Sequence, residues 1–399
     1  MQYNELKTPC FIVRNEVFKK NLTDFQKTIK KVYPRSIVGY SFKTNSLPHI
    51  LSLAKECGCY AEVVSDTEYH LAERVGFTSK QIIYNGPIKS KEIFEKAYYG
   101  KAIINIDSDR ELQWLEEIAK SHESRGIGLR INFDLESMLP GQTTTGQNGG
   151  RFGFNFENGD LHRAIEYCRN ISGLNVVGLH MHVSSKTKSI EVFKKLTEIA
   201  CQIITCEKLE IKYLDIGGGF FGGNDGGIAY YEYVNAIYQV LTSYGINNIS
   251  LIVEPGASVV ATAVDYMTTI IEYKDTNYNR FVITDGSRLH IDSFFQKNKH
   301  SYSIITTSDK KCEGQQVICG FTCMENDRII TLVNEVELQS GNKIIFYTEG
   351  SYTMALNPLF IEYLPYVYAE EKGDYKMVRD KWGVDEYLQK NYFSGVRQK

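Results

Sequence analysis

Val38-Gly39-Tyr40-Ser41-Phe42-Lys43-Thr44-Asn45-Ser46 is the stretch of sequence around which the predicted fold is built. The apolar run from Ile37 to Tyr40 predicts a short buried strand, and Lys43 stands where that strand should end. A strand buried on both faces rarely accommodates an ammonium, because desolvating the charge is costly unless it is paired. Burial also lowers the pKa of a lysine, which turns the amine into a nucleophile toward carbonyl groups. A surface lysine just beyond the strand is the alternative, so Lys43 needs support from the rest of the chain.

The composition is that of an ordinary globular protein and excludes several classes of function. The 399 residues predict about two or three domains, and 43% of them are apolar and 23% charged. A formal net charge of -3 gives no electrostatic reason to expect nucleic acid or an anionic membrane as a partner. No apolar run approaches the length of a membrane span. The nine cysteines form no disulfide framework, which predicts reduced thiols and a cytoplasmic location.

Strand-like runs alternate with helical segments from residue 37 to residue 254, in units of about 25–40 residues. This alternation predicts parallel strands with crossover helices, and about eight strands is the number in a (β/α)8 (TIM) barrel. A doubly wound open sheet is the structural alternative. The predicted strands are Ile37–Tyr40, Tyr60–Val64, Gln81–Tyr84, Ala102–Ile106, Gly128–Asn132, Val176–His182, Lys212–Ile216 and Ser250–Val253.

After about residue 265 the pattern changes to strands separated by glycine-containing turns, which predicts a second, all-β domain resembling a sandwich or barrel. We expect Thr8–Val13 to join this domain and Tyr387–Phe393 to form a closing helix. The predicted barrel covers residues 30–265, and the β domain covers residues 1–29 and 266–399. The strands predicted for the second domain are Met267–Tyr273, Arg280–Thr284, Gln316–Gly320, Arg328–Val333 and Lys343–Tyr347.

Polar residues and glycines follow the predicted barrel strands, where such barrels carry their chemistry. His180 and His182 have a spacing that suits a metal site, but no third ligand is evident nearby. Three consecutive glycines form a turn or let backbone N–H groups approach a phosphate. Together, these groups are the parts needed to hold pyridoxal phosphate: a lysine, a phosphate loop, a carboxylate and a planar side chain. They are Lys43, Arg130, Asn132, His180, His182, Gly217, Gly218, Gly219 and Glu254.

The order and spacing of these motifs resemble the fold-type III pyridoxal-phosphate enzymes, and within them the decarboxylase branch. Tyr40–Asn45 resembles the family's Tyr-Ala-x-Lys-Ala-Asn, and Gly178–Ser185 resembles Gly-Leu-His-x-His-x-Gly-Ser. Asp215–Phe220 and Glu254-Pro255-Gly256 match two further motifs. In the second domain, Cys323 and Asp327 fit Cys-x-x-x-Asp, and Gly350-Ser351-Tyr352 fits Gly-Ala-Tyr. The resemblance implies a barrel with a β domain and a homodimer with active sites shared across the interface.

The resemblance also implies a role for each matched residue. Lys43 would carry the cofactor covalently, His182 would stack on its ring, and Glu254 would pair with the ring nitrogen. Cys323 of the other subunit would donate a proton after CO2 leaves. Arg130, together with Asn132, would support the lysine loop. The phosphate and its surroundings would be held by Gly217, Gly218, Gly219, Ser185, Gly256 and Tyr352.

Two departures from the family pattern bear on the substrate. Ala257 stands where the family has arginine after Glu-Pro-Gly, and Met324 stands where charge-reading relatives have an acid after the cysteine. A methionine leaves a terminal ammonium unsatisfied, and we expect Glu325 to point the other way on a strand. The sequence therefore favours a substrate with a conjugated distal amine, such as a citryl-ornithine or citryl-diaminopropionate of siderophore biosynthesis. Arg288 or His290 would contact its distal acid, or would belong to an ordinary polar turn, and Asp327 would lie near the substrate.

Other functions stay open on the sequence alone. The nearest alternative is a diaminopimelate, ornithine, lysine or carboxynorspermidine decarboxylase. An amino-acid racemase would need a second acid–base residue, and its usual tyrosine motif is not evident. A regulator that binds the cofactor without catalysis conflicts with the intact lysine, histidine, glutamate and cysteine. A cofactor-free barrel with a metal at His180 and His182 is the most remote alternative; we expect no metal.

Overall fold

The computed structural model describes residues 3–119, 125–222, 228–297 and 299–392. The chain forms two compact units, one of residues 19–260 and the other of residues 1–18 and 261–399. The predicted domains, with boundaries at residues 30 and 265 and a role for the second domain in the dimer and the active site, stay a prediction. None of the described helices combines the length and the apolar character needed to cross a membrane.

Strands and helices are numbered in chain order. The strands are β1 (Cys10–Arg14), β2 (Ser36–Ser41), β3 (Tyr60–Val63), β4 (Ile82–Tyr84), β5 (Ile103–Ile106), β6 (Arg125–Asn132), β7 (Phe154–Asn155), β8 (Leu174–His180), β9 (Tyr213–Asp215), β10 (Ser250–Val253), β11 (Val264–Asp275), β12 (Arg280–Thr284), β13 (Ser301–Ile305), β14 (Gln315–Cys319), β15 (Arg328–Val333), β16 (Lys343–Tyr347), β17 (Tyr366–Glu371) and β18 (Asp374–Arg379). The helices are α1 (Asn15–Val32), α2 (Pro48–Glu56), α3 (Asp66–Val75), α4 (Lys91–Tyr99), α5 (Asp109–Ala119), α6 (Leu135–Met138), α7 (Asp160–Arg169), α8 (Ile190–Cys206), α9 (Tyr230–Ser243), α10 (Ala257–Val260), α11 (Arg288–Ile291) and α12 (Val384–Leu388).

The unit of residues 19–260 is a closed parallel barrel. Its strands pair in the order β2-β3-β4-β5-β6-β8-β9-β10, and β10 pairs with β2 to complete the ring. This is the predicted (β/α)8 barrel, and closure excludes the doubly wound open sheet. The crossover helices begin and end at ordinary signals: Ser65 Oγ accepts from the Glu68 N–H at the start of α3, and Gly76 ends it at φ 98°.

A tyrosine fills the inside of the barrel and requires glycine on two neighbouring strands. Tyr213 packs with Ile83 and Ile252 in the barrel core. A Cβ at Gly178 would lie 2.0 Å from the Tyr213 ring, and a Cβ at Gly128 would lie 2.2 Å from its hydroxyl oxygen. The Tyr213 hydroxyl donates to Asn105 Oδ1 at 2.9 Å, so the core also fixes a polar group toward the carboxyl ends of the strands.

The second unit is built on one mixed sheet. Its strands pair in the order β15-β14-β12-β11-β1-β17-β18, and β13 and β16 branch from β11. β1 pairs antiparallel with β11 and parallel with β17, so the N-terminal strand joins this sheet as predicted. Its apolar core includes Leu6, Cys10, Ile12, Met267, Ile345 and Tyr368.

Several elements differ from the sequence prediction. Strands β13, β17 and β18 were not predicted; β18 contains three charged residues, and its pairing with β17 makes it a strand. The predicted closing helix at Tyr387–Phe393 is misplaced: α12 ends at Leu388, and residue 393 lies outside the described residues. The Glu386 carboxylate accepts from the Gly383 N–H at 2.7 Å, and this contact fixes where that helix starts.

Candidate active site

Lys43 lies at the mouth of the barrel, just past the end of β2. It belongs to a single 3-10 turn, Phe42–Thr44, and its Nζ lies 3.3 Å from Glu62 Oε2. Ser41 Oγ donates to the same carboxylate oxygen at 2.7 Å. The Glu62 side chain is 1% exposed, whereas the Lys43 side chain is 37% exposed. The ammonium is therefore held by a buried acid while remaining accessible to a ligand.

The Lys43 turn is packed directly against the end of β10. A Cβ at Gly256 would lie 2.1 Å from Thr44 Oγ1, so a side chain at residue 256 would displace the turn. The Ser41 N–H donates to the Pro255 carbonyl at 3.2 Å. Gly256 thus acts on the lysine turn through packing, while its predicted contact with the cofactor stays a prediction.

Two buried asparagines connect three acids across the barrel mouth. Asn85 Nδ2 donates to Glu62 Oε1 at 3.1 Å and to Glu254 Oε1 at 2.6 Å. Asn105 Nδ2 donates to Asn85 Oδ1 at 2.8 Å and to Asp215 Oδ2 at 3.2 Å. All five side chains are buried. Because each amide bridges groups on different strands, the acids cannot move independently.

The two central acids, Asp215 and Glu254, raise each other's affinity for a proton. Burial raises the pKa of Asp215 to about 6, against hydrogen bonds from Glu254 and the Gly217 amide, which lower it. Burial, and then the neighbouring Asp215 and Glu62, raise the pKa of Glu254 well above its usual range. Carboxylates this close cannot both be ionised at low cost. Glu254 therefore keeps its proton to a higher pH than an exposed glutamate does.

His180 completes this cluster. Its Nε2 lies 3.7 Å from Glu254 Oε2, and neither ring nitrogen has a hydrogen-bond partner within the described part of the chain. Burial, and then Arg130, lower the pKa of His180 well below its usual range. His180, Asp215 and Glu254 place ligand atoms within 4.8 Å of one another, so His180 lies beside two acids in a cluster that does not include His182. The proton on Glu254 opposes metal binding, because a carboxylate ligand must be ionised.

His182 is fixed against the glycine loop after β9. Its Nδ1 accepts from the Gly218 N–H at 3.2 Å, and a Cβ at Gly217 would lie 2.5 Å from the His182 side chain. Burial, followed by Lys43 and Arg130, lowers the pKa of His182 well below its usual range, so the ring is neutral. Gly217 and Gly219 have φ of 70° and 93°, and a Cβ at Gly219 would meet open space. The His182 ring is thus held against this loop, and the backbone at Gly219 is not covered by any described residue.

The residues that end β6 hold the segment before β7. Asn132 Nδ2 donates to the carbonyls of Gly150 and Phe152 at 2.7 and 2.9 Å. Arg130 Nη1 lies 3.5 Å from Asp107 Oδ2, and its guanidinium lies 4.5 Å from the Phe152 ring centre. In the described residues Arg130 and Asn132 contact Asp107 and the segment before β7, and their predicted support of the lysine loop stays a prediction. A contact between Arg130 and the cofactor stays a prediction.

Ser185 and Ala257 lie in the same unit. Ser185 Oγ accepts from the N–H groups of Thr187 and Lys188 at 3.2 and 3.0 Å, and it lies 3.4 Å from Thr187 Oγ1. Ala257 begins α10 and is half-buried. Both predicted roles stay predictions.

A cavity of about 790 Å³ lies beside these residues. His182 and Arg130 line it, together with most of the segment between β6 and β7. Asp134 and Glu136, which also line it, accept hydrogen bonds from their own loop, at Ser137 and at Gly141 and Thr143 respectively. Those hydrogen bonds hold the pKa values of both carboxyl groups below their usual range.

The second unit carries the remaining predicted residues, which the structure describes by themselves. Cys323 is exposed and Met324 is half-buried. Residues 321–327 form bends and a turn, not a strand, so the argument that Glu325 points away by strand alternation fails. Glu325 is fully exposed and lies 3.7 Å from Arg328. Tyr352, at φ 55°, is half-exposed, and its phosphate contact stays a prediction.

Three of the predicted substrate contacts are engaged in the structure of this unit. Asp327 is buried and accepts from Ser287 Oγ, the Arg288 N–H and Thr322 Oγ1 at 3.1, 2.8 and 2.7 Å. Arg288 Nε and Nη2 donate to Asp292 Oδ2 at 2.9 and 2.7 Å. His290 Nδ1 lies 2.5 Å from the Tyr266 hydroxyl, and burial lowers the pKa of His290 to about 3. These contacts favour the structural alternative for all three residues.

The sequence analysis missed Glu62, Asn85 and Asn105, and gave Asp215 no role. Each lies within or directly after a barrel strand, where the rule that found Lys43 and Glu254 applies equally. A single polar residue in an otherwise apolar strand was the available signal, as in Ile103-Ile104-Asn105-Ile106.

Residues 19–261 match the family model described as the pyridoxal binding domain of pyridoxal-dependent decarboxylases. The chain belongs to the pyridoxal-dependent decarboxylase family. It is a pyridoxal phosphate-dependent amino-acid decarboxylase. Diaminopimelate decarboxylase of Aquifex aeolicus is 26% identical over 395 residues, covering 95% of this chain and 90% of the relative. That of Methanocaldococcus jannaschii is 27% identical over 372 residues, covering 88% and 83%.

Solved structures of such decarboxylases share the fold. Diaminopimelate decarboxylase from Helicobacter pylori, complexed with L-lysine, has a TM-score of 0.83 at 23% identity over 97% of both chains. The M. jannaschii enzyme has a TM-score of 0.87 at 23% identity over 98% of this chain and 93% of that one. The names of these relatives correspond to the alternative of diaminopimelate decarboxylation, and they give no support to a siderophore-pathway substrate.

The residues at the barrel mouth of this pyridoxal-dependent decarboxylase fit its cofactor. A lysine amine suits an aldehyde, the neutral His182 ring offers a flat face, and the Glu254 carboxyl carries a proton that a ring nitrogen can accept or share. The positive-φ glycines and the open space at Gly219 leave backbone free for a phosphate.

Proposed function

We propose that the enzyme decarboxylates an α-amino acid that carries a carboxylate at its distal end, with diaminopimelate as the first candidate. The observation that carries this proposal is the charge of the 790 Å³ cavity beside His182. Both acids lining it are engaged by their own loop, whereas Arg151, which also lines it, makes no ion pair with any described residue. The Arg151 guanidinium rests 4.2 Å from the Phe152 ring centre. Arg151 can therefore pair with the distal carboxylate of a substrate.

The chain's own residues have separate tasks in this reaction. Pyridoxal phosphate, when bound, delocalises the electron pair left on the α-carbon as CO2 departs. Lys43 would hold the cofactor through its amine, and Glu62 keeps the Lys43 side chain in place. Glu254 would face the ring nitrogen, and His182 would limit tilting of the ring. Cys323 Sγ supplies the proton that replaces CO2 on the α-carbon.

A second candidate has the same distal carboxylate but an acylated distal amine. Met324 and Ala257 favour it, because the relatives that read a free ammonium carry an acid at the first position and an arginine at the second. An apolar side chain facing an ammonium leaves the charge unpaired, which is a strong basis for discrimination. A citryl-conjugated diamino acid belongs to this class.

The test is kcat/KM for meso-diaminopimelate, an N-acylated diamino acid with a distal carboxylate, and L-lysine, measured side by side. We expect either of the first two to exceed L-lysine by at least about 100-fold, because only L-lysine lacks the distal carboxylate. Met324→Glu should raise activity on the free diamino acid, and Glu325→Gln, one residue further and exposed, is the matched control. Preference for L-lysine or ornithine would refute the proposed substrate class.

A homodimer with shared sites and a cytoplasmic location belong to this proposal. The support for the dimer is the family resemblance of the Cys323 motif. The support for the location is that all nine cysteines are free thiols.

A further inference from the structure

A fully buried ion pair lies beneath the asparagines that connect the acids of the site. Lys89 and Glu111 side chains are both 0% exposed, and Lys89 Nζ lies 2.9 Å from Glu111 Oε2. Lys89 Nζ also donates to the carbonyls of Gly86 at 2.8 Å and Asn105 at 3.2 Å. An ammonium has three N–H donors, so these three acceptors use all of them. The Lys89 ammonium thus joins the loop after β4, strand β5 and helix α5.

Both backbone segments held by Lys89 carry side chains of the acid network. Asn85 directly precedes Gly86, and Asn105 is the residue whose carbonyl accepts from Lys89. Gly86 has φ of 95°, and a Cβ there would lie 2.1 Å from the Val64 carbonyl oxygen, so this loop is also pressed against the end of β3. The amide groups of Asn85 and Asn105 are therefore aimed by backbone that Lys89 fixes.

Glu111 extends the same connection toward Arg130. Its Oε2 accepts from the Asp107 N–H at 3.2 Å, and its Oε1 accepts from Ser108 Oγ at 3.3 Å. Asp107 in turn places Oδ2 3.5 Å from Arg130 Nη1 and accepts from the Gly153 N–H at 3.3 Å through Oδ1. The Lys89–Glu111 ion pair therefore holds two groups of polar residues at the barrel mouth. Lys89 holds the backbone at Asn85 and Asn105, and Glu111 holds Asp107, which contacts Arg130.

Stability alone does not account for such a pair. Two well-packed apolar side chains often stabilise an interior as well as a buried ion pair does, because desolvation offsets the attraction between the charges. The retained feature is the set of directed hydrogen bonds, which apolar side chains cannot reproduce.

We propose that Lys89 and Glu111 are positioning residues, which act on the reaction by aiming Asn85 and Asn105 at Glu62, Asp215 and Glu254. In the described residues the hydrogen bonds of Lys89 and Glu111 go to Gly86, Asn105, Asp107, Ser108 and each other, so the geometry routes their influence through the asparagines. This inference rests on the proposed placement of the cofactor beside Glu254.

The test is a double-mutant cycle on the full-length protein. Lys89→Met/Glu111→Met removes both charges together, so no unpaired charge stays buried. Asn85→Ala removes the amide through which the pair acts. Two quantities are measured: the affinity for pyridoxal phosphate, from titration of the protein, and kcat/KM. Both are measured at temperatures well below the midpoint of thermal unfolding.

We expect each set of substitutions to weaken both readouts by about 10–100-fold, the size found when partners that orient a ligand-binding group are removed. The combined variant should fall no more than about 3-fold below Asn85→Ala alone, because the two act in series. Glu111→Gln keeps an acceptor for Lys89 and should retain activity within about 5-fold of the wild type. Multiplicative losses in the cycle would overturn the inference.

Leu115→Ala is the matched control for lost stability. Leu115 lies one turn beyond Glu111 on α5 and is fully buried, but its side chain has no polar atom to join the network. If Leu115→Ala reduced cofactor affinity as much as the paired substitution at equal loss of stability, the positioning role would be refuted. If the paired variant fails to fold, Lys89→Gln runs the same cycle.

The cofactor titration separates this inference from the proposed function. A non-additive cycle in cofactor affinity supports the positioning role even if none of the tested amino acids is decarboxylated, a result that would refute only the substrate proposal. Additive affinities with normal decarboxylation would refute only the positioning role.

Discussion

The barrel mouth and the Cys323 loop of the second unit, residues 321–327, organise their polar groups in opposite ways. In the barrel, Glu62 and Glu254 are buried and linked by Asn85, which bridges separate strands. In the loop, Cys323 is exposed, and Asp327 is satisfied by hydrogen bonds within its own unit.

The comparison shows which region holds several polar groups in a fixed arrangement before a ligand binds. The barrel holds a proton, a neutral ring and an ammonium in fixed relation before any ligand binds, which is how a site avoids reorganisation during the reaction. The loop of the second unit presents an exposed thiol close in sequence to Asp327, which accepts hydrogen bonds within that unit. The barrel residues are thus linked across strands, whereas use of the Cys323 thiol by another site stays a proposal.

The largest expected effect comes from removing the reacting side chain of each region in turn. Lys43→Met and Cys323→Ser should each reduce decarboxylation by at least about 100-fold, because the nucleophile and the proton donor are lost. Mixing the two inactive proteins should restore up to about a quarter of the wild-type activity. Random re-pairing makes half of the dimers mixed, and one of the two sites in each of them is intact.

The control for this mixing experiment is exchange itself. Subunit exchange is verified by mixing differently tagged proteins, and Cys319→Ser, at a half-buried thiol on the preceding strand, should behave as wild type. Verified exchange without recovery would show that both residues act within one chain.

A smaller effect sharpens the account of the barrel acids. Because the pKa of Asp215 is raised to about 6 in the folded state, folding retains its proton, and the stability from that proton is present below about pH 4. This stability is lost as the pH rises through about 6, by on the order of 2–3 kcal/mol. Asp215→Asn lacks this loss, so its free energy of unfolding relative to wild type should rise by that amount between pH 4 and pH 7.

Urea unfolding of the protein without cofactor measures this difference. Asp134→Asn is the control, because the pKa of Asp134 is lowered by its Ser137 hydrogen bonds. The stabilising contribution of Asp134 is lost only as the pH falls through that lowered pKa. The difference in free energy of unfolding between Asp134→Asn and the wild type should therefore not change between pH 5 and pH 7. Parallel pH curves for Asp215→Asn and wild type would mean that Asp215 is ionised throughout.

The smallest expected effect concerns the Cys323 loop. Asp327→Asn should lower the free energy of unfolding by about 1–2 kcal/mol, because an amide cannot accept all of the hydrogen bonds from Ser287, Arg288 and Thr322. Affinity for pyridoxal phosphate should stay unchanged. Asn326→Ala, at the exposed neighbour, is the control. A loss of substrate affinity without a loss of stability would restore the predicted substrate contact of Asp327.

Local patterns were sufficient to predict the barrel and the second sheet, because strand and helix periodicities are written in consecutive residues. Lys43, His182 and Glu254 were found for the same reason: each directly follows an apolar run or lies in a motif. Strand β18 was missed because its residues become a strand only through pairing with β17.

The network of the site could not be predicted because it depends on distance across the barrel. Asn85 and Glu254 are 169 positions apart in the chain, yet they share a 2.6 Å hydrogen bond. The sequence also does not reveal that Arg288, His290 and Asp327 have hydrogen-bond partners within the protein. A polar residue in a turn has the same sequence pattern whether its partner is protein or substrate. The error about Glu325 came from assuming a strand where the backbone turns.

Tyr213 has a consequence for how mutational tolerance should be interpreted in this enzyme. Its ring occupies the space that a side chain at Gly128 or Gly178 would need. A survey of all substitutions would therefore mark both glycines as intolerant and place them beside the reacting residues in importance, although neither has a side chain that touches a ligand. Intolerance at Gly178 measures the volume of one aromatic ring, and a smaller residue at position 213 would be expected to relax it, whereas a side chain at Gly128 would also meet Asn105 Oδ1 at 2.2 Å.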